Sequence, residues 1–379
     1  MDRSRTPRKV GVEEELLLID PETRCVTSRA PEVLKEFREH GRGRLRSVAT
    51  DELDQELFRH QLETRTDPTT SAADVLSQLR DARRTAGEAA DSVGLGIAAC
   101  GIVPTGIDEV RVSPNDRYRD MVDTFGEVAR TGGTCGMHVH VDIADDEEGV
   151  GVIDRLGPWL PVLLALSANS PIYQRRDTSY ASWRSQVWGR WPSAGPTEQF
   201  GSLAGYRATC DMLLATGAAR DAGMLYFDAR LAALHPTVEV RVADVCTDPL
   251  DAVLVAVLVR ALVEVSAREH ADGAPVPRWR AEELRAAQWR AARYGVAGRL
   301  VHPERRELAP APEVLDALVD RVREVLGETD DLQLVEQGCA RVLAGGGATH
   351  QRAALERSEG VEGVVDDLLE RTRRSWAGS

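Results

Sequence analysis

Four short stretches of the chain place acids and imidazoles at every second residue. In Gly11-Val12-Glu13-Glu14-Glu15-Leu16, Glu13 and Glu15 have the same parity. Gln61, Glu63 and Arg65 do so in Gln61-Leu62-Glu63-Thr64-Arg65. In His138-Val139-His140-Val141-Asp142 the two histidines align with Asp142. In Thr237-Val238-Glu239-Val240-Arg241-Val242, Glu239 and Arg241 stand opposite three valines. Successive side chains of a strand point to opposite faces, so each polar set falls on one face.

A solvated sheet face accounts for any one of these strands taken alone. Taken together they supply carboxylates and imidazoles where a solvated face would mix Thr, Ser, Lys and Gln. Acids gathered on one side of a sheet repel one another. A divalent cation removes that repulsion, and carboxylates are the usual protein ligands of magnesium. Glu13, Glu15, Glu63 and Glu239 are therefore candidate metal ligands, with His138 among them and His140 beside it. Magnesium keeps several waters and bridges protein to substrate phosphates. Arg241, on the same face as Glu239, offers a planar fork for a phosphoryl oxygen. There is no Gly-x-x-x-x-Gly-Lys-Ser/Thr loop, and the only lysines are Lys9 and Lys35. A P-loop is excluded, and a nucleotide would be held through metal, arginine and backbone.

Two rival readings compete for the same residues. His138-x-His140 could begin the zinc or iron site of a metal-dependent amidohydrolase, where the metal activates water. Against it, the pair falls late in the chain, and histidines 40, 60, 235, 270, 302 and 350 mostly sit in expected helices or turns. A non-catalytic binding module would keep the fold and lack the acid cluster.

The elements that must position these residues follow from periodicity. Strands are expected at Lys9–Asp20, Phe58–Thr66, Gly94–Ile102, Thr134–Ile143 and within Met224–Val245. Helices are expected at Thr69–Ser92, Asn115–Arg130, Val152–Ser167 and Leu203–Thr216, with a long Trp-, Arg- and Gly-rich loop from Pro171 to Pro196. From Pro249 onward the pattern is almost wholly helical: 250–270, 280–293, 312–326, 329–343 and 348–375. The strands lack regular β-α-β spacing and a Gly-x-Gly-x-x-Gly turn, which argues against a Rossmann sheet. The expected class is α+β, a largely antiparallel sheet covered by helices on one face. No linker or 20–50-residue repeat divides the 379 residues, so a single domain spanning 1–379 is expected, mixed to about residue 248 and mostly helical after.

Composition sets the outer bounds. The net charge of −14 repels a phosphate backbone and argues against nucleic acid as partner. The polar start, Met1 to Val10, has no apolar run behind it to make a signal peptide. The longest apolar stretch, Ala252 to Val265, is interrupted by Arg260 and Glu264 and reads as a buried amphipathic helix rather than a membrane span. Cysteines 25, 100, 135, 210, 246 and 339 show no Cys-x-x-Cys pair and read as reduced core filler in a cytoplasmic chain.

The four motifs, continued through Gly136-Met137 and Ala243-Asp244, resemble signatures of the glutamate–cysteine ligase type 2 family, also called YbdK-like carboxylate–amine ligases. Trp188-Gly-Arg-Trp-Pro-Ser-Ala-Gly-Pro-Thr197 and the tail from Gly347 through Gln351-Arg352 are similar to it as well, so the resemblance runs through nearly the whole chain. Two stretches depart from the pattern. Gly101-Ile102-Val103-Pro104 lacks the histidine often found in that turn, and the Trp183–Trp191 loop carries extra tryptophan.

The resemblance implies a glutamine-synthetase-like fold, whose curved antiparallel sheet lines a funnel for ATP and Mg2+. It implies ATP-dependent amide formation through an acyl phosphate, joining the γ-carboxylate of glutamate to an amino acid or other amine. Carried over by position, Glu13, Glu15, Glu63 and Glu239 match metal-binding acids, His138 a position near metal or nucleotide, and Arg241 a phosphate-contacting arginine. Arg241 and Glu63 are the candidate catalytic residues; His138, His140, Arg241 and Arg184 are the candidate nucleotide contacts. Arg184 and Arg190 are candidates to hold the donor's α-carboxylate or to close over ATP. Arg230 and the Arg117-Tyr118 pair have the same standing. Trp183, Trp188 and Trp191 are candidates for an acceptor wall, with plain packing as the alternative. The expected partners are small-molecule substrates, with no nucleic acid and no membrane, and a homo-oligomer is admissible.

Overall fold

The computed structural model describes residues 6–40, 53–55, 59–106, 116–130, 133–358 and 360–377. The expected starts of a strand at Phe58 and a helix at Asn115, and the first five residues of the polar N-terminal stretch, lie outside the described residues. The chain opens with β1 (Val10–Ile19), α1 (Ala30–His40), β2 (Leu53–Gln55), β3 (Gln61–Arg65), α2 (Ala72–Asp91) and β4 (Gly96–Ala98). Then come α3 (Asp116–Phe125), α4 (Glu127–Arg130), β5 (Gly136–Asp142), α5 (Asp146–Leu156) and α6 (Leu160–Ser167). A small hairpin of β6 (Ile172–Tyr173) and β7 (Arg176–Asp177) precedes α7 (Trp183–Trp188), α8 (Leu203–Ala215), β8 (Ala229–Leu231) and β9 (Thr237–Asp244). The remainder is α9 (Pro249–Ala271), α10 (Ala281–Tyr294), a hairpin of β10 (Arg299–Val301) and β11 (Leu308–Pro310), and α11 (Ala311–Glu328), α12 (Leu332–Gly345), α13 (Gly347–Ser358) and α14 (Val361–Ala377).

Seven strands form one antiparallel sheet in the order β2-β3-β1-β5-β9-β8, with β4 also paired to β1. The apolar parity of the strands decides which face is covered. Val10, Val12, Val139, Val141, Val238 and Val240 are all buried, with α9 packed on β1 and β5 and with α5 and α6 packed on β9. Each such side chain removed from water contributes roughly 1.5–3 kcal/mol, so one face is committed to helices. The polar parity is left for the other face.

Glu14 breaks that rule, since it points with the valines. Its charge is met by Arg83 of α2 through two hydrogen bonds of 2.8 and 2.6 Å, and both side chains are fully buried. Arg83 also donates to the carbonyls of Cys246 and Thr247, which anchors α2 to the end of β9. α9 runs through the centre of the molecule. It is capped by Asp248, whose carboxylate accepts from the Leu250 N–H, with Pro249 in the first turn. Its residues 252–263 are buried on every side rather than amphipathic, and Arg260 is accommodated there by Asp331 and the Thr70 carbonyl.

The structure refines several expected boundaries. The helix expected over 152–167 is two helices, α5 starting at Asp146 and α6 set off at 70°. Asn115–Arg130 is also divided, at Gly126, whose φ of +55° ends α3. The long loop 171–196 contains the β6–β7 hairpin and α7, and the helical C-terminal part is interrupted by β10–β11. Residues 348–375 fall in two helices, α13 and α14, and α1 was not expected at all. Five of the six cysteines are buried, Cys25 is exposed, and all are free thiols. Among the described residues no single helix is long and apolar enough to cross a membrane; α5 and α6 pass such a test only as a bent pair, and both are largely buried.

Candidate active site

Strand register brings the four motifs onto one patch. Glu13 of β1 lies opposite His138 of β5, Glu15 lies opposite Glu63 of β3, and His140 lies opposite Glu239 of β9. Directly opposed and diagonal residues of neighbouring strands are within side-chain reach. Glu13 therefore sits between both histidines: its Oε2 is 3.2 Å from His138 Nδ1 and 3.6 Å from His140 Nε2. A bulge between Met137 and Val139 shifts the β5–β9 register at this point. Glu15 accepts from the Gly136 N–H at 2.6 Å and lies 3.9 Å from His138 Nε2.

Arginines close the patch. Arg230 of β8 forms two hydrogen bonds to Glu239, at 2.7 and 3.2 Å, and Arg241 binds the same carboxylate. Arg65 reaches Glu63 at 2.8 Å. Burial pushes the Glu239 carboxyl up, but the charges of Arg241 and Arg230, then of His138 and His140, outweigh it and hold Glu239 well below the usual carboxylate range. At Glu13 burial is likewise overcome, by the contact with His138 and the charges of His138 and His140, so Glu13 is held ionised.

The donor set suits a hard divalent cation. Glu13, His140 and Glu239 each offer one ligand atom, all within 4.8 Å of one another. His140 Nε2 is buried without a hydrogen-bond partner, while its Nδ1 is 3.0 Å from Thr237 Oγ1. A second contact on the far nitrogen is how ligating imidazoles are oriented. Oxygen donors with one imidazole fit magnesium or manganese better than a thiolate-seeking metal. His140 rather than His138 completes this group; His138, Glu15 and Glu63 surround it.

Two cavities meet at the patch. One, of about 370 Å3, is lined by Glu13, Glu15, Glu63, His138, His140, Glu239, Arg241 and Arg230, and by an aromatic side built from Tyr118, Trp188, Trp191 and Tyr226. The other, of about 600 Å3, is lined by Lys9, Thr66, Asp67, Gln78, Asp81, Asp142 and Pro236. Glu13, Arg65, His140 and His235 belong to both.

Other expected residues lie apart. Arg184 is buried beneath the first cavity, where it donates to the Arg241 and Val242 carbonyls, lies 3.9 Å from Asp244 and stacks on Trp188. Only glycine at 136 lets it pass, since a Cβ there would fall 2.2 Å from its Nη2. Arg190 is exposed and lines neither cavity. Trp183 packs on Tyr173 and Tyr180, away from Trp188 and Trp191. Tyr226 and the buried Asp228, which accepts from Gln288 Nε2 at 3.0 Å, escaped the sequence reading because they sit in irregular chain before β8. The Glu14–Arg83 pair did leave a signal: an acid on the apolar parity of a buried strand needs a buried cation. The Gly347–Gln351 tail is explained by packing, for Gln351 donates to the carbonyl and side-chain oxygens of Asn169, which itself holds Val245 and Thr247 at the end of β9.

Comparison with known proteins places this geometry in context. The profile of glutamate–cysteine ligase family 2 matches residues 9–371. Relatives from Nocardioides sp. (66% identical, 97% of both chains) and Frankia alni (46%, covering 96% of this chain and 97% of that one) bear the name "Putative glutamate–cysteine ligase 2", with suffixes -1 and -2. A glutamate–cysteine ligase from Francisella tularensis in complex with AMP superposes with a TM-score of 0.66 at 13% identity, over 98% of this chain and 90% of that one. A bifunctional glutathione synthetase from Pasteurella multocida gives 0.69 at 16% identity; this chain spans 53% of its length. These two superpositions speak to fold. The amidohydrolase alternative finds no support: carboxylates, with arginines on two of them, surround His138 and His140, and the family is one of ligases.

Proposed function

We propose that this chain, which belongs to glutamate–cysteine ligase family 2, uses ATP to join the γ-carboxylate of glutamate to an amine through an acyl phosphate. It is an enzyme of the ligase class. The observation that carries the finer reading is the convergence of Glu13, Glu239, His140 and Arg241 on one side of the first cavity, where Glu13 and His140 also line the second. In this reading the phosphoryl group passes beside Glu13 and His140, from a nucleotide in the second cavity to an acceptor in the first.

Glu13, Glu239 and His140, with Glu15, Glu63 and His138 around them, would hold magnesium. Bound there, the cation would offset phosphate charge and align the in-line transfer. A γ-carboxylate oxygen of the donor attacks the γ-phosphorus, the bond to the bridging oxygen breaks, and ADP leaves. Arg241 supports the charge on the transferring group. The amine nitrogen then attacks the acyl carbon, phosphate departs with the bond electrons, and the amine gives up a proton. Glu63 is our candidate to receive that proton.

The test is phosphate release from Mg-ATP with glutamate and a panel of amines, with Glu239→Ala as the blank. Release that requires all three substrates and disappears in the blank supports the reading. Amide cleavage without ATP, in protein that retains zinc, would overturn it.

A further inference from the structure

The first cavity is acidic on one side and aromatic on the other, and this asymmetry bears on the amine. Trp188 and Tyr226 pack with ring centroids 4.7 Å apart, and Trp191 lies 5.5 Å from Tyr226 and 5.3 Å from Phe125. Rings braced in this way form a wall ready before any ligand arrives, so little ordering is required on binding. Tyr118, Met121 and Val128 continue the apolar surface.

A cysteine thiol would gain little from tryptophan and tyrosine rings, whereas a flat or branched apolar body would displace water from them. The proposed function leaves the nucleotide the larger cavity on the far side of Glu13 and His140, which Thr66, Asp67, Gln78 and Asp81 line.

We infer that the acceptor is a primary amine with an aromatic or branched apolar body. This rests on the ligase reading above. The amino end faces the acids across the cavity, and Trp188, Trp191 and Tyr226 receive its body.

The experiment compares kcat/KM for 2-phenylethylamine, isopentylamine, alanine and cysteine with Mg-ATP and glutamate. The apolar amines should exceed cysteine by about tenfold or more, as one well-buried apolar group provides. Trp188→Ala should raise KM for 2-phenylethylamine about tenfold, and Trp188→Phe should restore most of it. Cysteine or alanine as the best acceptor would overturn the inference and leave the ligase intact. A Trp188→Ala effect on KM for ATP alone would overturn it too, by assigning the wall to the nucleotide base. Phosphate release with none of the amines would overturn both.

Discussion

Glu15 of β1 and Glu63 of β3 stand directly opposite each other in the sheet, two carboxylates in a register position that normally favours opposite charges. Arg65 meets Glu63, and the Gly136 N–H meets Glu15, yet Glu13 and Glu239 add further negative charge on the same face. A cation bound there would offset that charge. Added Mg2+ or Mn2+ should raise the Tm of the wild-type protein. Glu63→Gln should raise the metal-free Tm slightly, by roughly 1–2 °C for a repulsion of under 1 kcal/mol, and should weaken the metal response. Differential scanning calorimetry with and without chelator reads both. No metal response in the wild type would remove the cation from this patch.

Arg241 is bound to Glu239 and lines the first cavity. Replacing it removes one positioned donor, worth about 3–4 kcal/mol of transition-state stabilisation. Arg241→Ala should lower amine-dependent phosphate release by ~10² or more. A rate within a few-fold of wild type would take Arg241 out of the mechanism.

Arg83→Met leaves Glu14 buried without its cation. The cost should be about 3–5 kcal/mol, seen as a lower urea midpoint. Replacing both partners, Glu14→Leu with Arg83→Met, should recover most of that loss. A double variant as unstable as the single one would show that Arg83 matters mainly through its bonds to the Cys246 and Thr247 carbonyls.

Asp228 gives stability a pH dependence. Burial pushes its carboxyl up to about 7, against partial relief from the Gln288 hydrogen bond and the charge of Arg184. The folded protein thus holds this proton more tightly than the unfolded chain, whose carboxyl titrates near 3.9. The associated stability is fully present below about pH 4 and is lost as pH rises through 7. Asp228→Asn should match the wild type near pH 4 and exceed it at pH 8, by up to about 4 kcal/mol. Denaturation curves across that range check the slope; a constant difference would contradict it.

Arg184 should behave as a structural residue. Its guanidinium lies beside Asp244 and under β9 carbonyls, with no surface on either main cavity. Arg184→Ala should lower the unfolding free energy by about 3 kcal/mol or more. A large rise in KM for ATP with unchanged stability would return Arg184 to the nucleotide.

Much of the patch was legible because parity is local. Glu13, Glu15, Glu63, His138, His140, Glu239 and Arg241 alternate with buried apolar neighbours, and an extended chain can satisfy that pattern only by sending the two sets to opposite faces. Helix α2 was legible for the same reason, at its own period, and α9 was legible as a long apolar run after Pro249. Short elements were not: α7, the β6–β7 hairpin and β10–β11 are too brief for any period to show, and tertiary packing holds them. The 152–167 stretch read as one helix because apolar residues continue through the bend, and composition does not register a 70° turn.

The sequence by itself determined the chemistry available and the face on which each strand presents it. Only the tertiary structure decided which strands are neighbours. β1 takes β3 on one side and β5 on the other, and that places Glu13 between two histidines more than a hundred residues away. It also decided that His140 joins Glu13 and Glu239, that Arg184 turns away, and that Trp188, Trp191 and Tyr226 close one side of the cavity. The reason is physical: side-chain parity follows from the geometry of one strand, whereas register and counter-charge depend on packing between segments that the local chain cannot specify.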